Sequence, residues 1–462
     1  MRISSRIWIV IAAGIAAIIA LTVWYFYFKE NGEGENGNTA MGASATYEIE
    51  LSLNERDEFQ IRTVIEVANE TERPFDDIGF YFVPNALNSD ETPDLPQEAA
   101  ETAISSIKVG DEEVEYELEN NELLVELAEP LEPGEKEAIQ VLYSLALPEN
   151  GMRLSQDGNN FFLAQWYPML AQFDNGWDIE PFDMDGESYH TGFGDFRIDY
   201  QLPREYLVAS SATDGEVKPS VSGTLEGDRI KDFYLALMDP EEWIHETVSV
   251  EGAELRLFMP DDPELLEESA VMAEAAYVFF EERIGDNPFP ELDIVGNDGY
   301  MEYPNIIEVA TTWEALDSVL VHEIAHQWFY YIVGNDPFED AWIDESITEF
   351  AASLFLSDYY GDEEYGFSSA EAAANAYRQE KYANLPLDEF AGAQYLSTVY
   401  GAAPLTLRNF FEERGGQEEA LQFLSAYYRE FQFDYVNTDK FKQFFEAYFE
   451  GDQSGFLDSW LK

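Results

Sequence analysis

The chain has 462 residues, and 46% of them are hydrophobic, which is enough to fill more than one core. It contains no cysteine, which excludes disulfides, thiolate metal ligands and a cysteine nucleophile. The 94 acidic and 24 basic residues give a formal net charge of −70 and argue against a nucleic-acid partner. We interpret the acid excess as a halophilic surface, suited to a saline or alkaline exterior where salt screens the self-repulsion.

The N-terminus carries a candidate membrane anchor. Arg2 and Arg6 precede an uncharged apolar stretch, residues 7–28, that ends in five consecutive aromatic residues. A helix of this length spans a bilayer core, and the aromatic residues suit its interface. The positive-inside rule predicts a single-pass protein of the cell membrane, with a cytoplasmic tip at 1–6 and everything after residue 28 outside. A cleaved signal peptide is the alternative, although its apolar region is usually about 7–15 residues.

The remaining chain changes its hydrophobic period once. Residues 29–45, rich in Gly, Asn and Glu, are predicted to form a flexible linker. Over 46–250 apolar and polar residues alternate, as in half-buried antiparallel strands, and we predict a β-sandwich-like domain. From 251 onwards the apolar spacing is mostly helical, with a short β-rich piece at 292–309. Helices are predicted at 263–284, 316–333, 342–360, 368–382, 398–413, 417–431 and 438–449. The predicted fold class is therefore α+β and multidomain, with a second, mostly α domain over 251–462.

An H-E-x-x-H pattern, His322-Glu323-Ile324-Ala325-His326, lies inside one predicted helix and contains two of the four histidines. Positions i and i+4 share one helix face, so His322 and His326 can place two imidazole nitrogens on one metal ion. Glu323 lies beside that face, where its carboxylate can take a proton from metal-bound water without being a ligand. The alternative is a pair of histidines that pack on or cap a core helix.

A third ligand is predicted downstream, because a catalytic zinc takes three protein ligands. Eighteen residues separate His326 from Glu345, which lies in Trp342-Ile343-Asp344-Glu345. We predict Asp344 as the N-cap of a helix that packs against the first one and brings Glu345 to the histidines. Glu349, one turn later, can orient a ligand histidine through its ring N–H. A helix-start acid favoured by the dipole is the alternative for Glu345, and a solvated helix face is the alternative for Glu349.

Together these motifs resemble the gluzincin aminopeptidase family, the zinc peptidases typified by aminopeptidase N and leukotriene hydrolase. The resemblance covers roughly residues 46–462. It rests on the H-E-x-x-H pattern, the eighteen-residue gap, Glu345 in a Trp-x-Asp-Glu context, and a G-x-M-E strand formed by Gly299-Tyr300-Met301-Glu302. It implies a thermolysin-like catalytic domain with one zinc ion per chain, held by His322, His326 and Glu345.

The resemblance also implies the remaining roles in the site. Glu302, with Met301 and Gly299 beside it, would bind the free α-amine of a peptide. Tyr400 would donate a hydrogen bond to the oxyanion of the reaction, and Tyr395 is the second candidate for that role.

The function that follows is a membrane-anchored, extracytoplasmic zinc metallopeptidase that removes N-terminal residues from peptides, with Glu323 as its general base. Its expected partners are peptide substrates and, through residues 7–28, the lipid bilayer.

Two departures from the family leave other functions open. Tyr303 stands where the family has an asparagine that grips the substrate backbone, and this chain stops at Lys462, without the large helical C-terminal part of many members. A more open cleft would admit longer peptides, so a zinc endopeptidase is one alternative. A catalytically silent surface binding or scaffold module of the same fold is the other.

Overall fold

The structure, a computed structural model, describes residues 42–88, 99–149, 151, 153–183, 186–250 and 252–462. The predicted tip at 1–6 and the predicted anchor at 7–28 lie outside the described residues, as does the linker at 29–45 except for its end. Within the described part of the chain, every helix is too short or too polar to cross a bilayer. All of the described residues belong to one structural unit.

Strands dominate the described residues up to about residue 260, and helices dominate after it, so the predicted α+β class is confirmed. In chain order, β1 to β20 are Ala43–Leu53, Glu58–Asn69, Phe75–Tyr81, Glu101–Val109, Glu112–Glu113, Tyr116–Glu119, Glu122–Leu131, Lys136–Ala146, Leu154–Asp157, Asn160–Leu163, Met169–Leu170, Gln172–Phe173, Trp177–Asp178, Gly194–Ser210, Ser220–Ile230, Leu235–Met238, Trp243–Val250, Ala253–Pro260, Glu291–Gly296 and Ile306–Val309.

The largest sheet has the strand order β5-β4-β8-β2-β1-β14-β16-β10-β9, with β15 paired to β14. Its centre follows the period-two pattern: β1 and β2 pair antiparallel from Ala43 opposite Asn69 to Leu53 opposite Phe59. β1 and β14 pair in parallel, whereas the sequence predicted antiparallel strands. A four-stranded sheet, β11-β3-β7-β6, shares the same hydrophobic core. There the ring of Phe82 meets the ring of Tyr143 edge-on at 5.2 Å.

A second four-stranded sheet, β17-β18-β19-β20, lies beside the helices. β17 and β18 form a hairpin from Trp243 opposite Pro260 to Val250 opposite Ala253. The predicted change of domain between residues 250 and 251 therefore falls at the turn of a hairpin whose two strands belong to one sheet. The division into 46–250 and 251–462 stays a prediction.

The α-helices of the described residues, α1 to α10, are Val83–Ala86, Pro263–Arg283, Trp313–His326, Ala341–Tyr360, Glu363–Gly366, Ser368–Ala376, Ala403–Glu412, Gln417–Phe431, Thr438–Tyr448 and Ser454–Leu457. Two further segments, Gln327–Ile332 and Leu396–Ala402, are wider π-helical turns, and Leu387–Glu389 is a 3₁₀ turn.

Three predicted helices differ from the observed ones. The helix predicted at 316–333 contains one π-helical segment, and the helix predicted at 398–413 overlaps the other, which begins at Leu396; sequence spacing does not distinguish such turns from α-helix. The helix predicted at 368–382 ends at Ala376, because Tyr377 is extended. The backbone N–H of Tyr377 donates to Ser397 Oγ, and that of Glu380 donates to Thr398 Oγ1, so side chains replace the helical acceptors.

Asp344 is not the N-cap of its helix, and that prediction was wrong. Helix α4 begins at Ala341, after Asp340. Asp340 accepts a hydrogen bond from the Thr438 hydroxyl at 2.5 Å, and that hydroxyl also accepts one from the indole of Trp342 at 2.8 Å. These tertiary contacts fix the helix start earlier than the local sequence predicts. Asp344 lies buried inside the helix instead.

A buried ion network joins strands β18 and β19 to the loop after β14. The guanidinium of Arg256 lies 3.0 Å from Asp214, 3.2 Å from Glu291 and 2.5 Å from Asp293. Three carboxylates thus share one positive charge in a buried place. Burial, opposed by Arg256, raises the pKa of Asp214 to about 8. Burial and the charge of Asp293 raise the pKa of Glu291 to about 7.

We expect the Asp214→Asn variant to become more stable relative to the parent as the pH rises. A carboxyl whose pKa is raised by folding holds its proton more tightly in the folded state, so the stability it contributes at low pH is lost between about pH 4 and the folded value of about 8. The loss has an upper limit of about 1.4 kcal/mol per pH unit for one proton. Thermal unfolding of both proteins across this range measures the difference, and parallel Tm curves would contradict the prediction.

Candidate active site

The three predicted metal ligands converge between helices α3 and α4. His322 Nε2 lies 3.0 Å from His326 Nε2 and 3.2 Å from a carboxylate oxygen of Glu345, and His326 Nε2 lies 3.3 Å from the same oxygen. Ligands bound to a tetrahedral zinc at its usual distances lie about 3.3 Å apart. The donor set and its spacing therefore fit zinc.

Each histidine is oriented through its other ring nitrogen. His322 Nδ1 lies 2.9 Å from a carboxylate oxygen of Glu349, the contact expected of a carboxylate that orients a ligand histidine. His326 Nδ1 lies 3.2 Å from the hydroxyl of Thr348, which the sequence did not single out. Both contacts leave the Nε2 atoms facing Glu345.

Burial and charge set the protonation of these groups. Burial lowers the pKa of His326 to about 4, which favours the neutral imidazole that a metal needs. Burial also acts to lower the pKa of His322, but hydrogen bonds to Glu345 and Glu349 raise it well above its usual value. Burial acts to raise the pKa of Glu345, yet hydrogen bonds from the two histidines bring it well below the ordinary range.

Glu323 is buried beside the triad and makes no hydrogen bond through Oε2 to any described residue. Burial, opposed by the charge of His322, raises the pKa of Glu323 to about 8. A metal cation bound by the neighbouring ligands would lower this pKa, so that Glu323 could ionise and accept a proton. The geometry is that of a proton acceptor next to the ligands, in the place that the sequence predicted.

Glu302 lies in a loop rather than on a strand, which corrects the prediction of a G-x-M-E strand. The loop joins β19 to β20, and only Met301 forms a single bridge, with Glu308. Asp298 and Tyr300 have φ angles of 60° and 54°, in the left-handed region that costs L-residues energy. A Cβ atom on Gly299 would overlap the side chain of Glu308, so only glycine fits there.

The loop is tied to the metal helix. Gln327, the residue after the ligand His326, accepts a hydrogen bond from the Asn305 backbone N–H at 2.9 Å and donates one to the Tyr303 carbonyl at 3.2 Å. Tyr303, which replaces the asparagine of the family, is buried and stacks on Tyr234 at 4.5 Å. These contacts hold the loop of Glu302 next to the helix that carries His326.

Three carboxylates form an acidic corner next to the metal site. One oxygen of each of Glu187, Glu302 and Glu345 lies within 4.8 Å of the others. Burial, followed by the charge of Glu187, raises the pKa of Glu302 well above its usual value. Glu302 Oε1 has no hydrogen-bond partner among the described residues. Such a corner favours a cation, which would favour the ionised form of Glu302.

Glu187 and its partner Arg153 were missed by the sequence reasoning. Arg153 forms a buried ion pair with Glu187 at 2.8 Å and also contacts the sulfur of Met301. Both residues lie in the β-rich half of the chain, outside any motif. The one local signal is conformational, a φ of 65° at Arg153, which the sequence does not reveal.

Tyr400 is the tyrosine that faces the metal ligands. Its ring lies 5.8 Å from that of His322, nearly parallel at 27°, while Tyr395 meets Tyr400 edge-on from behind at 5.7 Å. Burial, followed by the charge of Glu345, raises the pKa of Tyr400 well above its usual value, so the phenol keeps its proton. Tyr400, Glu302, Glu345 and Glu187 line one cleft of about 830 Å³.

Comparisons with known sequences agree with this geometry. Residues 301–460 match the family model described as the peptidase family M1 domain. Leukotriene A-4 hydrolase of Xenopus laevis is 29% identical over 178 residues, 35% of this chain and 28% of that protein. Aminopeptidase B of Mus musculus is 25% identical over 149 residues, 29% of this chain and 22% of that protein. The chain thus spans less than a third of the length of these curated relatives.

Two solved structures share the fold over most of the chain. The M1 zinc metallopeptidase from Deinococcus radiodurans has a TM-score of 0.65 at 15% identity, over 91% of this chain and 94% of that one. Native leukotriene A4 hydrolase from Saccharomyces cerevisiae has a TM-score of 0.62 at 14% identity, over 90% of this chain and 67% of that one. At these identities the likeness is one of fold.

Over most of the chain the fold is that of the solved M1 zinc metallopeptidase, and the candidate metal ligands lie on two packed helices. More particularly, the match of residues 301–460 to the peptidase family M1 domain and the similarity to leukotriene A-4 hydrolase confirm the resemblance to the gluzincin aminopeptidases.

Proposed function

We propose that this protein is a zinc metallopeptidase that releases N-terminal residues from peptides. The proposal rests on how five side chains are arranged around one candidate metal position. His322, His326 and Glu345 converge on a metal position. One carboxylate oxygen of each of Glu302 and Glu323 lies within 4.8 Å of a ring nitrogen of His326, and each of these two glutamates has an oxygen without a hydrogen-bond partner among the described residues. The M1 domain match and the relatives named leukotriene A-4 hydrolase and aminopeptidase B support the same activity.

The chemistry divides between the metal and the side chains. His322, His326 and Glu345 would hold a zinc ion, which would supply Lewis acidity at this position. Glu323 takes the proton of the attacking water and passes it to the leaving amine. Tyr400, whose phenol stays protonated, donates a hydrogen bond to the developing oxyanion.

The acidic corner supplies the preference for a free N-terminus. A peptide's protonated α-amine placed between Glu302, Glu187 and Glu345 would neutralise the repulsion among these three carboxylates. Arg153 already pairs with Glu187, so it compensates part of the charge and keeps that carboxylate in place. A blocked N-terminus lacks the positive charge and would leave the corner uncompensated.

The setting of this activity is proposed from the sequence. The apolar stretch at 7–28, preceded by Arg2 and Arg6, supports a single-pass anchor in the cell membrane with the peptidase outside. The net charge of −70 supports an exterior of high salt. Peptides that reach the outer face of the membrane would then be the substrates.

Metal analysis and an assay with aminoacyl arylamides, both at high salt, test the proposal. We expect about one zinc ion in the α3–α4 site, hydrolysis that a chelator abolishes, and recovery when zinc is restored. The Glu345→Gln variant, which loses a ligand, should lose zinc from this site together with activity. A correctly folded chain that keeps this zinc and hydrolyses no aminoacyl arylamide would contradict the proposal and leave the endopeptidase and the scaffold module as the two alternatives.

A further inference from the structure

A second group of metal-binding side chains lies outside the cleft. It consists of Asp178 at the end of β13, His190 before β14, and Asp336 in the loop that leads to α4. His190 Nδ1 lies 3.0 Å from Asp178 Oδ2 and 3.4 Å from Asp336 Oδ2. These distances are close to the 3.0 to 3.3 Å between the donors of the candidate zinc triad. The three side chains are 20 to 36% exposed, so water can complete a coordination shell.

Two of the donors are held by a buried phenol beneath them. Tyr81 donates to the Asp178 carbonyl at 2.7 Å and accepts the backbone N–H of His190 at 3.2 Å. Because Tyr81 is fully buried, it fixes the backbone of both donors from the core side. The group is therefore built on a rigid base, as metal ligands require.

Neighbouring contacts also orient the ring of His190 and the carboxylate of Asp336. The imidazole of His190 packs against the ring of Tyr435 at 5.4 Å, and Tyr435 is anchored by its bond to the Thr191 carbonyl at 2.6 Å. Asp336 Oδ1 accepts the backbone N–H groups of Phe338 and Glu339 at 3.0 and 3.1 Å. The other carboxylate oxygen of Asp336, Oδ2, faces His190.

The surroundings favour a cation. In the described chain, neither aspartate forms an ion pair with a lysine or arginine, and one imidazole faces both. Glu180 and Glu339 lie near enough for the charges of Asp178 and Asp336, after burial, to raise their pKa values. A single imidazolium would leave most of this negative charge uncompensated, whereas a divalent ion bound by the three donors would offset two charges.

We propose that Asp178, His190 and Asp336 form a second metal site, for a divalent transition-metal ion such as Zn²⁺ or Mn²⁺. One nitrogen and two carboxylate oxygens suit these ions, whereas Ca²⁺ and Mg²⁺ take oxygen ligands. The ion would cross-link the segment that carries Glu187 to the loop that leads into α4, the helix of Glu345. The site is structural and does not depend on peptidase activity.

Metal content after dialysis in molar NaCl, which weakens non-specific binding to the acidic surface, tests the site. We expect about two equivalents of metal in the full chain supplied with Zn²⁺, about one in the Asp178→Asn/Asp336→Asn double variant, and about one in Glu345→Gln. Asp388→Asn is the matched control, because Asp388 is exposed and acts on Glu180 without being a donor. It should keep both equivalents.

A measurement on the unmodified chain covers the case in which the double variant does not fold. Metal-free protein titrated with Zn²⁺ or Mn²⁺ should bind two equivalents, and the second should raise the Tm by about 2 °C or more. Binding of one equivalent only would overturn the proposal and leave His190 as an ion-pair bridge. Two equivalents retained by a folded double variant would overturn it as well.

Discussion

Replacing Glu323 with glutamine should lower kcat for peptide hydrolysis by about 10³-fold, within the range of about 10² to 10⁴ that a positioned general base contributes. Glutamine has nearly the same size but cannot accept the proton of the attacking water. Zinc should stay bound, because the proposed ligands His322, His326 and Glu345 are all unchanged. Steady-state kinetics together with metal analysis of the variant measure both expectations.

A suitable control for this variant is Glu308→Gln, which removes another buried carboxylate, near enough for its charge to act on Glu323. Glu308 is bonded to Tyr234 and Asn297 rather than facing the ligands. We expect it to keep most of the activity. Full activity in Glu323→Gln, or an equal loss in both variants, would show that Glu323 is not the proton acceptor.

The Glu302→Gln variant should lose about 10²-fold in kcat/KM on substrates with a free N-terminus. The reason is the loss of one charged partner of a buried ammonium group, which costs about 2–3 kcal/mol when the other carboxylates remain. Activity on N-terminally acetylated peptides, already low, should change much less, because those peptides bring no charge to the corner. The ratio of the two activities is the quantity to measure.

Zinc content separates this effect from damage to the metal site. Glu302 lies outside the proposed ligand set of His322, His326 and Glu345, so the variant should bind zinc as the parent does. An unchanged preference for free N-termini in Glu302→Gln would mean that another group, such as Glu187, reads the amine. A parallel loss on free and acetylated peptides would mean that Glu302 supports the cleft rather than the amine.

The metal triad could be predicted from the sequence because its spacing is local. An i, i+4 pair on one helix needs no tertiary information, and the eighteen-residue gap reaches the next helix over a short connection. Even so, the start of that helix was misplaced, because contacts of Asp340 and Trp342 with Thr438 set it from a distant part of the chain. The misplaced start did not affect the prediction for Glu345, because Glu345 still lies on a helix that packs against the helix of His322 and His326.

The acidic corner could not be predicted in full because it is assembled from distant segments. Glu302 was found through its motif, but its loop conformation depends on bonds to Gln327 and on the close approach of Gly299 to Glu308. Glu187 and Arg153 belong to a segment with no motif, and they reach the cleft only because the β-rich half packs against the catalytic helices. Likewise, the spacing of apolar residues did not reveal that Tyr400 lies in a π-helical turn.

The most direct test of the central claim is the identity of the products from one peptide with a free N-terminus and its acetylated twin, followed by mass spectrometry with and without a chelator. The proposed function predicts stepwise loss of N-terminal residues from the free peptide, cleavage of the acetylated twin at least about 100-fold more slowly, and no products once the metal is removed. Internal cleavage of both peptides at equal rates would contradict the account and would identify an endopeptidase.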